Sequence, residues 1–190
     1  MLFRTGTASR SSASGRLIYI MGPSGAGKDS LIDYARARKP AGVKFATRCI
    51  TRSADYGGEL HQSLSLDDFH DRLQQDLFAL TWQAHDTWYG IGVEIDAWLQ
   101  QGLTVVVSGS RAALAQAEER YPRVRPILIT ASPEVLRSRL LTRGRENDQG
   151  VDQRMRRARD LACSGSRPVC VIENSGPMAV AGELLLACLI

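Results

Sequence analysis

Gly22-Pro23-Ser24-Gly25-Ala26-Gly27-Lys28-Asp29-Ser30 is the stretch whose reading decides the fold. An apolar, strand-like run, Leu17-Ile18-Tyr19-Ile20-Met21, leads into it, and a helix-like run, Leu31 to Arg38, leads out. A glycine-rich turn in that setting is what a phosphate-binding loop requires. Glycines let the backbone curl so that successive N–H groups point inward at phosphate oxygens. The loop then ends on a helix N-terminus, whose unpaired donors and positive dipole end favour an anion. In this pattern Lys28 reaches the β- and γ-phosphates of a nucleoside triphosphate. Strand, glycines, lysine and helix in this order set the stretch apart from an ordinary strand-to-helix turn.

One position departs from the general G-x-x-x-x-G-K-[ST] pattern. The hydroxyl that normally follows the lysine and touches Mg²⁺ is replaced by Asp29, with Ser30 one residue late. Two readings of Asp29 stand. It complements the positive end of the helix, or it is a ligand of the metal.

The rest of the composition is that of a soluble protein. At 190 residues, with 44% hydrophobic and 23% charged residues, the chain suits one domain with its own core. A net charge of +4 is mildly basic, and arginines gather in residues 137–159, which reads as a local anion site rather than a stripe for nucleic acid. Cys49, Cys163, Cys170 and Cys188 form no C-x-x-C pair and no metal-ligand spacing with the three histidines, so isolated buried thiols in a cytoplasmic protein are expected. No apolar run reaches the length of a membrane span. Residues 1–15, rich in serine and arginine, read as a disordered tail ahead of a single domain over 16–190.

After the first helix, Val43 to Arg52 reads as one extended piece whose even spacing puts Arg48 and Arg52 on one face. A polar turn covers residues 53–61, and Ser65 caps a helix bearing Leu66, Phe69 and Leu73. Residues 78–90, with Trp82 and Trp88, read as a strand and turn, followed by a helix over Ile91 to Gln101. From Gly102 the pattern alternates. Strands are expected at Leu103 to Val107, Val124 to Thr130 and Val169 to Ile172, the first a β-branched run of the kind buried in a parallel sheet. Helices are expected over Arg111 to Arg120, Pro133 to Leu141, Val151 to Ala162 and Ala179 to Leu189. This is an α/β chain, a doubly wound parallel sheet with helices on both faces, whose ligands bind beyond the carboxyl ends of the strands. Residues 46–101 interrupt the alternation as an inserted acceptor-binding lobe, and the polar residues 142–150 read as a mobile lid.

The chain resembles the guanylate-kinase-like branch of the nucleoside monophosphate kinases. The resemblance is carried by Gly22 to Lys28, Thr51-Arg52, Glu59 after a glycine, Phe78, Tyr89-Gly90, Arg139-Leu140, and Arg143-Gly144 with Glu146. It implies a P-loop kinase fold and transfer of the γ-phosphoryl group of ATP, with Mg²⁺ as bridge and lid arginines closing over the phosphates. The departures are equally specific. A base-recognising glutamate two residues after Phe78 is Leu80 here, and a hydroxyl after the Tyr-Gly pair is Ile91. The aspartates at the end of the next strand are Ser108-Gly109-Ser110, the second acceptor arginine is Asp55, and Arg48 is new. A site built to hydrogen-bond guanine cannot do so through leucine. Lys28-Asp29-Ser30, Ile50-Thr51-Arg52, Gly57-Gly58-Glu59-Leu60-His61 and Trp82-Gln83-Ala84-His85 are similar to members of this branch that act on a sugar phosphate, converting ribose 1,5-bisphosphate to 5-phosphoribosyl 1-diphosphate in phosphonate use.

The resemblance then implies roles. Gly22, Pro23, Ser24, Gly25, Ala26, Gly27, Lys28, Asp29 and Ser30 hold the ATP phosphates and metal, with Asn174 near adenine. Arg139, Arg143, Arg145 and Arg154 stabilise transition-state charge. Arg48, Arg52, Glu59, Gln83, His85 and Tyr89 hold the acceptor. Against these stand plainer readings, in which the arginines are a solvated basic face, the histidines are structural, and Trp82 and Trp88 are packing. Two other functions remain open, a nucleoside monophosphate kinase and a non-catalytic binding module. Retention of Lys28, Arg139 and Arg143 argues against the module.

Overall fold

The computed structural model describes residues 15–38, 40–52, 61–84, 86–142 and 170–190. Arg16–Met21 forms β1 and Lys28–Ala37 forms α1. Val43–Phe45 (β2), Arg48–Ile50 (β3) and His61–Ser63 (β4) precede α2 (Leu66–Gln74), a hairpin of β5 (Phe78–Ala84) and β6 (Thr87–Gly92), and α3 (Glu94–Gln100). Then come β7 (Thr104–Ser108), a 3₁₀ turn (Arg111–Ala113), α4 (Leu114–Arg120), β8 (Arg125–Thr130), α5 (Pro133–Thr142), β9 (Cys170–Glu173) and α6 (Met178–Leu189).

The main sheet has the order β2-β7-β1-β8-β9, with every neighbouring pair parallel. Its central strand is apolar at every position from Leu17 to Met21 because both faces are covered. Ile18 and Ile20 pack with Leu31, Leu136 and Leu185 beneath α1, α5 and α6. Leu17, Tyr19 and Met21 turn the other way, to Val105, Val107, Leu80, Ile91 and Ile95. Burial of each such aliphatic side chain contributes about 1.5–3 kcal/mol, which two covered faces collect along one short strand. The second sheet, β4-β3-β6-β5, lies over that second face.

Several boundaries differ from the pattern read along the chain. Val43 to Arg52 is two strands in two sheets. Ala46 N–H still bonds the Val106 carbonyl of the main sheet, and from Arg48 the chain pairs with β6 instead. Arg52 lies beyond β3, so it does not share a strand face with Arg48. Ile91 is strand rather than helix, because pairing with Arg48 and Leu80 holds β6 in register through Gly92. The α2 cap is as expected, with the Ser65 hydroxyl accepting from the Asp68 N–H at 3.0 Å. Cys170 is exposed rather than buried, and its sulfur lies 3.7 Å from Cys188 Sγ, so those two thiols are neighbours rather than isolated. The expected tail, the residues of the lid after Thr142 and the basic helix over 151–162 fall outside the described residues.

Candidate active site

Gly22 to Gly27 turns the chain from the end of β1 into α1. Gly22 has φ 152°, and a Cβ there would stand 2.1 Å from the Ile129 carbonyl oxygen of β8. Gly27, at φ 85°, is the N-cap of α1 in the left-handed region, with no side chain capping the first turn. Those N–H groups are therefore left to a ligand. Lys28 Nζ donates to the carbonyls of Gly22 and Pro23, at 2.9 and 3.0 Å, which holds its ammonium across the loop.

Two residues distant in sequence brace the loop. Asn174, immediately after β9, is buried and donates from Nδ2 to the Ala26 carbonyl at 2.8 Å. It touches the loop itself, and its Oδ1 has no hydrogen-bond partner. Arg139 on α5 brings Nη1 to 3.4 Å from the Gly25 carbonyl and 3.5 Å from that of Ala26. A cation thus sits beside the glycine-rich loop.

Asp29 lines a cavity together with Ile32, Asp33, Arg36, Arg48 and Ser108. Arg48 Nη2 lies 3.4 Å from Asp29 Oδ1, and the arginine side chain is only 11% exposed. This ion pair joins the first turn of α1 to β3 of the second sheet. Ser108, the last residue of β7, is buried, and its hydroxyl has no hydrogen-bond partner. Carboxylate and hydroxyl oxygens are donors suited to a hard divalent cation such as Mg²⁺. Among the described residues no three His, Cys, Asp or Glu side chains cluster as a metal cage. Ser30 is exposed on the outer side of the helix.

On the second sheet Arg48 also stands over the Tyr89 ring, 5.8 Å from its centroid, and Tyr89 stacks on Trp82 at 5.4 Å with the rings nearly parallel. Ring-on-ring packing fixes the platform under the guanidinium. Gln83 does not join this group. It neighbours Trp82 on β5, so strand alternation sends it to the opposite face of the sheet. Arg52 lies just past β3 with Nε buried and unpartnered. Leu80 and Ile91 are directly paired and 1% and 0% exposed, so both point into the core and neither offers a group to a base. Trp88 packs near Phe69 on the other side of the lobe. Glu59, His85, Arg143, Arg145 and Arg154 lie outside the described residues.

Two features at the end of β7 escaped the motif reading. Tyr19 donates from its hydroxyl to the Ser110 carbonyl at 2.7 Å, and burial pushes its pKa well up despite that bond and the Arg48 charge. Arg111 follows with Nε and Nη1 buried and unpartnered, and desolvation pulls its pKa down. The available signal was position, since a charged residue just past the carboxyl end of a parallel strand stands where such sheets bind ligands.

A family model described as an AAA domain matches residues 18–161. Ribose 1,5-bisphosphate phosphokinase PhnN of Chromobacterium violaceum is 51% identical over 173 residues, 91% of this chain and 92% of that one. The protein of the same name from Desulfomicrobium baculatum is 50% identical over 90% of this chain and 91% of its own, and that of Pseudomonas fluorescens 48% over 93% and 95%. Among solved structures, guanylate kinase from Anaplasma phagocytophilum superposes with a TM-score of 0.70 at 15% identity, covering 93% of this chain and 85% of that one. That likeness shows the guanylate-kinase-like P-loop fold.

Proposed function

The chain belongs to the ribose 1,5-bisphosphate phosphokinase family, and from that premise we propose that it transfers the γ-phosphoryl group of ATP to ribose 1,5-bisphosphate. The bond from the γ-phosphorus to the β,γ-bridging oxygen breaks, and a bond forms to an oxygen of the 1-phosphate. The products are ADP and 5-phospho-α-D-ribose 1-diphosphate. Such a reaction belongs to a soluble, cytoplasmic route of phosphonate breakdown.

The observation that carries this reading is the Asp29–Arg48–Tyr89 junction, with Leu80 and Ile91 sealed beneath it. It sets a phosphate-binding cation beside the donor loop and supplies no polar edge for a base. Phosphoryl transfer is mostly a matter of position and charge. The loop N–H groups and Lys28 hold the donor phosphates. Arg139 takes up charge as it develops on the transferring group, with Arg143, Arg145 and Arg154 in the same role from the segment after α5. Arg48, Arg52 and Tyr89 hold the acceptor phosphate, with Glu59 and His85 toward the sugar. Gln83, on the far face of the lobe, has no such part. Asn174 acts on the nucleotide site by bracing Ala26.

Mg²⁺, when bound, would neutralise charge on the donor phosphates. Asp29 is the residue that would hold it. Its carboxylate stands in the first turn of α1, where a negative group alone would repel ATP. The test is to incubate the protein with ATP and, separately, ribose 1,5-bisphosphate, GMP or AMP, following ADP and reading products by phosphorus NMR. A new diphosphate doublet pair with the sugar bisphosphate alone supports the assignment. Phosphorylation of GMP or AMP with none of the sugar bisphosphate would replace it with a nucleoside monophosphate kinase.

A further inference from the structure

The loop position after Lys28 usually carries a neutral hydroxyl, and the strand end facing it usually carries the aspartate of the metal site. Here the first position is Asp29 and the second is Ser108. The two residues line one cavity, between the first turn of α1 and the carboxyl end of β7. Ser108 pairs in register with Ile20, so its side chain lies on the same face as Ile20 and Val106, toward α1. It is 7% exposed and its Oγ has no hydrogen-bond partner. An unpaired buried hydroxyl is a cost to the fold that a ligand in the cavity would remove.

From this we propose that the carboxylate and the hydroxyl of the metal site have exchanged places, so that Ser108 Oγ is the neutral oxygen donor that accompanies the Asp29 carboxylate, directly or through a metal-bound water. The inference rests on the reading of Asp29 as the residue that holds Mg²⁺. The exchange keeps the site's total charge, one carboxylate and one hydroxyl, and both oxygens suit a hard cation. It also accounts for the charge at the loop position. A carboxylate at the strand end would add a third negative group to a cavity already lined by Asp29 and Asp33, which pair with Arg48 and Arg36.

The experiment is a titration of Mn²⁺ into the protein saturated with ADP, the free ion being followed by its electron paramagnetic resonance signal. Each variant is first shown to bind ADP in EDTA as the parent does, which separates metal binding from folding. Ser108→Ala is expected to weaken Mn²⁺ binding about tenfold, the scale on which single supporting groups act at metal sites. Ser108→Thr, which keeps the hydroxyl, is expected to stay close to the parent. Asp29→Ser should weaken binding further, and adding Ser108→Asp to it, which restores the general arrangement, should recover most of the loss. Parent-like Mn²⁺ affinity in Ser108→Ala, with loss in Asp29→Asn, would overturn the role of Ser108 and leave Asp29 as the metal residue. Parent-like affinity in both would overturn the reading of Asp29 itself. Should Ser108→Ala fail to bind ADP, the exchanged pair decides, since failure of Ser108→Asp to improve on Asp29→Ser contradicts the exchange.

Discussion

Lys28 donates to two carbonyls of its own loop, and we expect its removal to cost chemistry rather than fold. Lys28→Ala should keep the circular dichroism spectrum and lower kcat by at least about 10²-fold, the usual loss for one charge-stabilising donor. Activity within a few-fold of the parent would contradict the loop assignment. Asn174 makes a different prediction. Asn174→Ala takes the shorter of two donors from the Ala26 carbonyl, leaving Arg139 Nη1 at 3.5 Å, and also removes the orphaned Oδ1, so stability should fall by only about 1 kcal/mol. ADP affinity should fall with it, because the loop loses its brace, and both effects are read from one thermal-shift titration. The lysine was legible in the sequence because the loop motif is local. The Asn174 contact was not, because it joins positions 148 apart through a fold that had first to bring β9 beside β8. Ser108 stood out in the sequence only by what it replaces, and Arg111 not at all. A serine or arginine after an apolar strand is common, and only burial without a partner distinguishes these two.

At the scale of elements, α1 and α6 meet across a glycine. A Cβ at Gly182 would stand 2.3 Å from Tyr34 Cδ1, whereas a Cβ at Gly176, just before α6, meets nothing within 4 Å. Gly182→Ala should therefore destabilise by about 1–3 kcal/mol, an overpacking cost. The melting temperature should drop by several degrees, while Gly176→Ala leaves it nearly unchanged. Equal shifts in the two variants would show that the helices are not packed as described. Element type was mostly readable here, since α1, β1, β7, β8 and α6 carry strong apolar runs. The failures fall where the partner decides. Ala46-Thr47 contains no glycine or proline to mark the passage from one sheet to the other. Ile91 and Ile95 have helical spacing, yet cross-strand pairing keeps Ile91 in β6. Sheet membership is a long-range property and leaves no local trace.

Over the whole molecule the main sheet carries two cores, one under the helices α1, α5 and α6 and one under the second sheet. Buried titratable groups belong to both. Burial pushes the phenols of Tyr19 and Tyr121 up and the Cys188 thiol from 9.0 to about 11. Each binds its proton more tightly folded than unfolded, so each contribution is complete below the unfolded pKa and is lost as pH rises through the folded one. Stability should therefore decline above pH 9, seen as a falling denaturant midpoint between pH 8 and pH 11, and a midpoint that rose across that window would contradict these burials. The larger claim concerns the second sheet, whose Leu80 and Ile91 point into the core and whose Arg48 pairs with Asp29 of α1. One measurement addresses it. The protein is given limiting γ-labelled ATP with equal concentrations of ribose 1,5-bisphosphate and GMP, and the label is followed into each acceptor. We expect the sugar bisphosphate to take nearly all of it. Label found mainly in GDP would mean that the lobe reads a base after all.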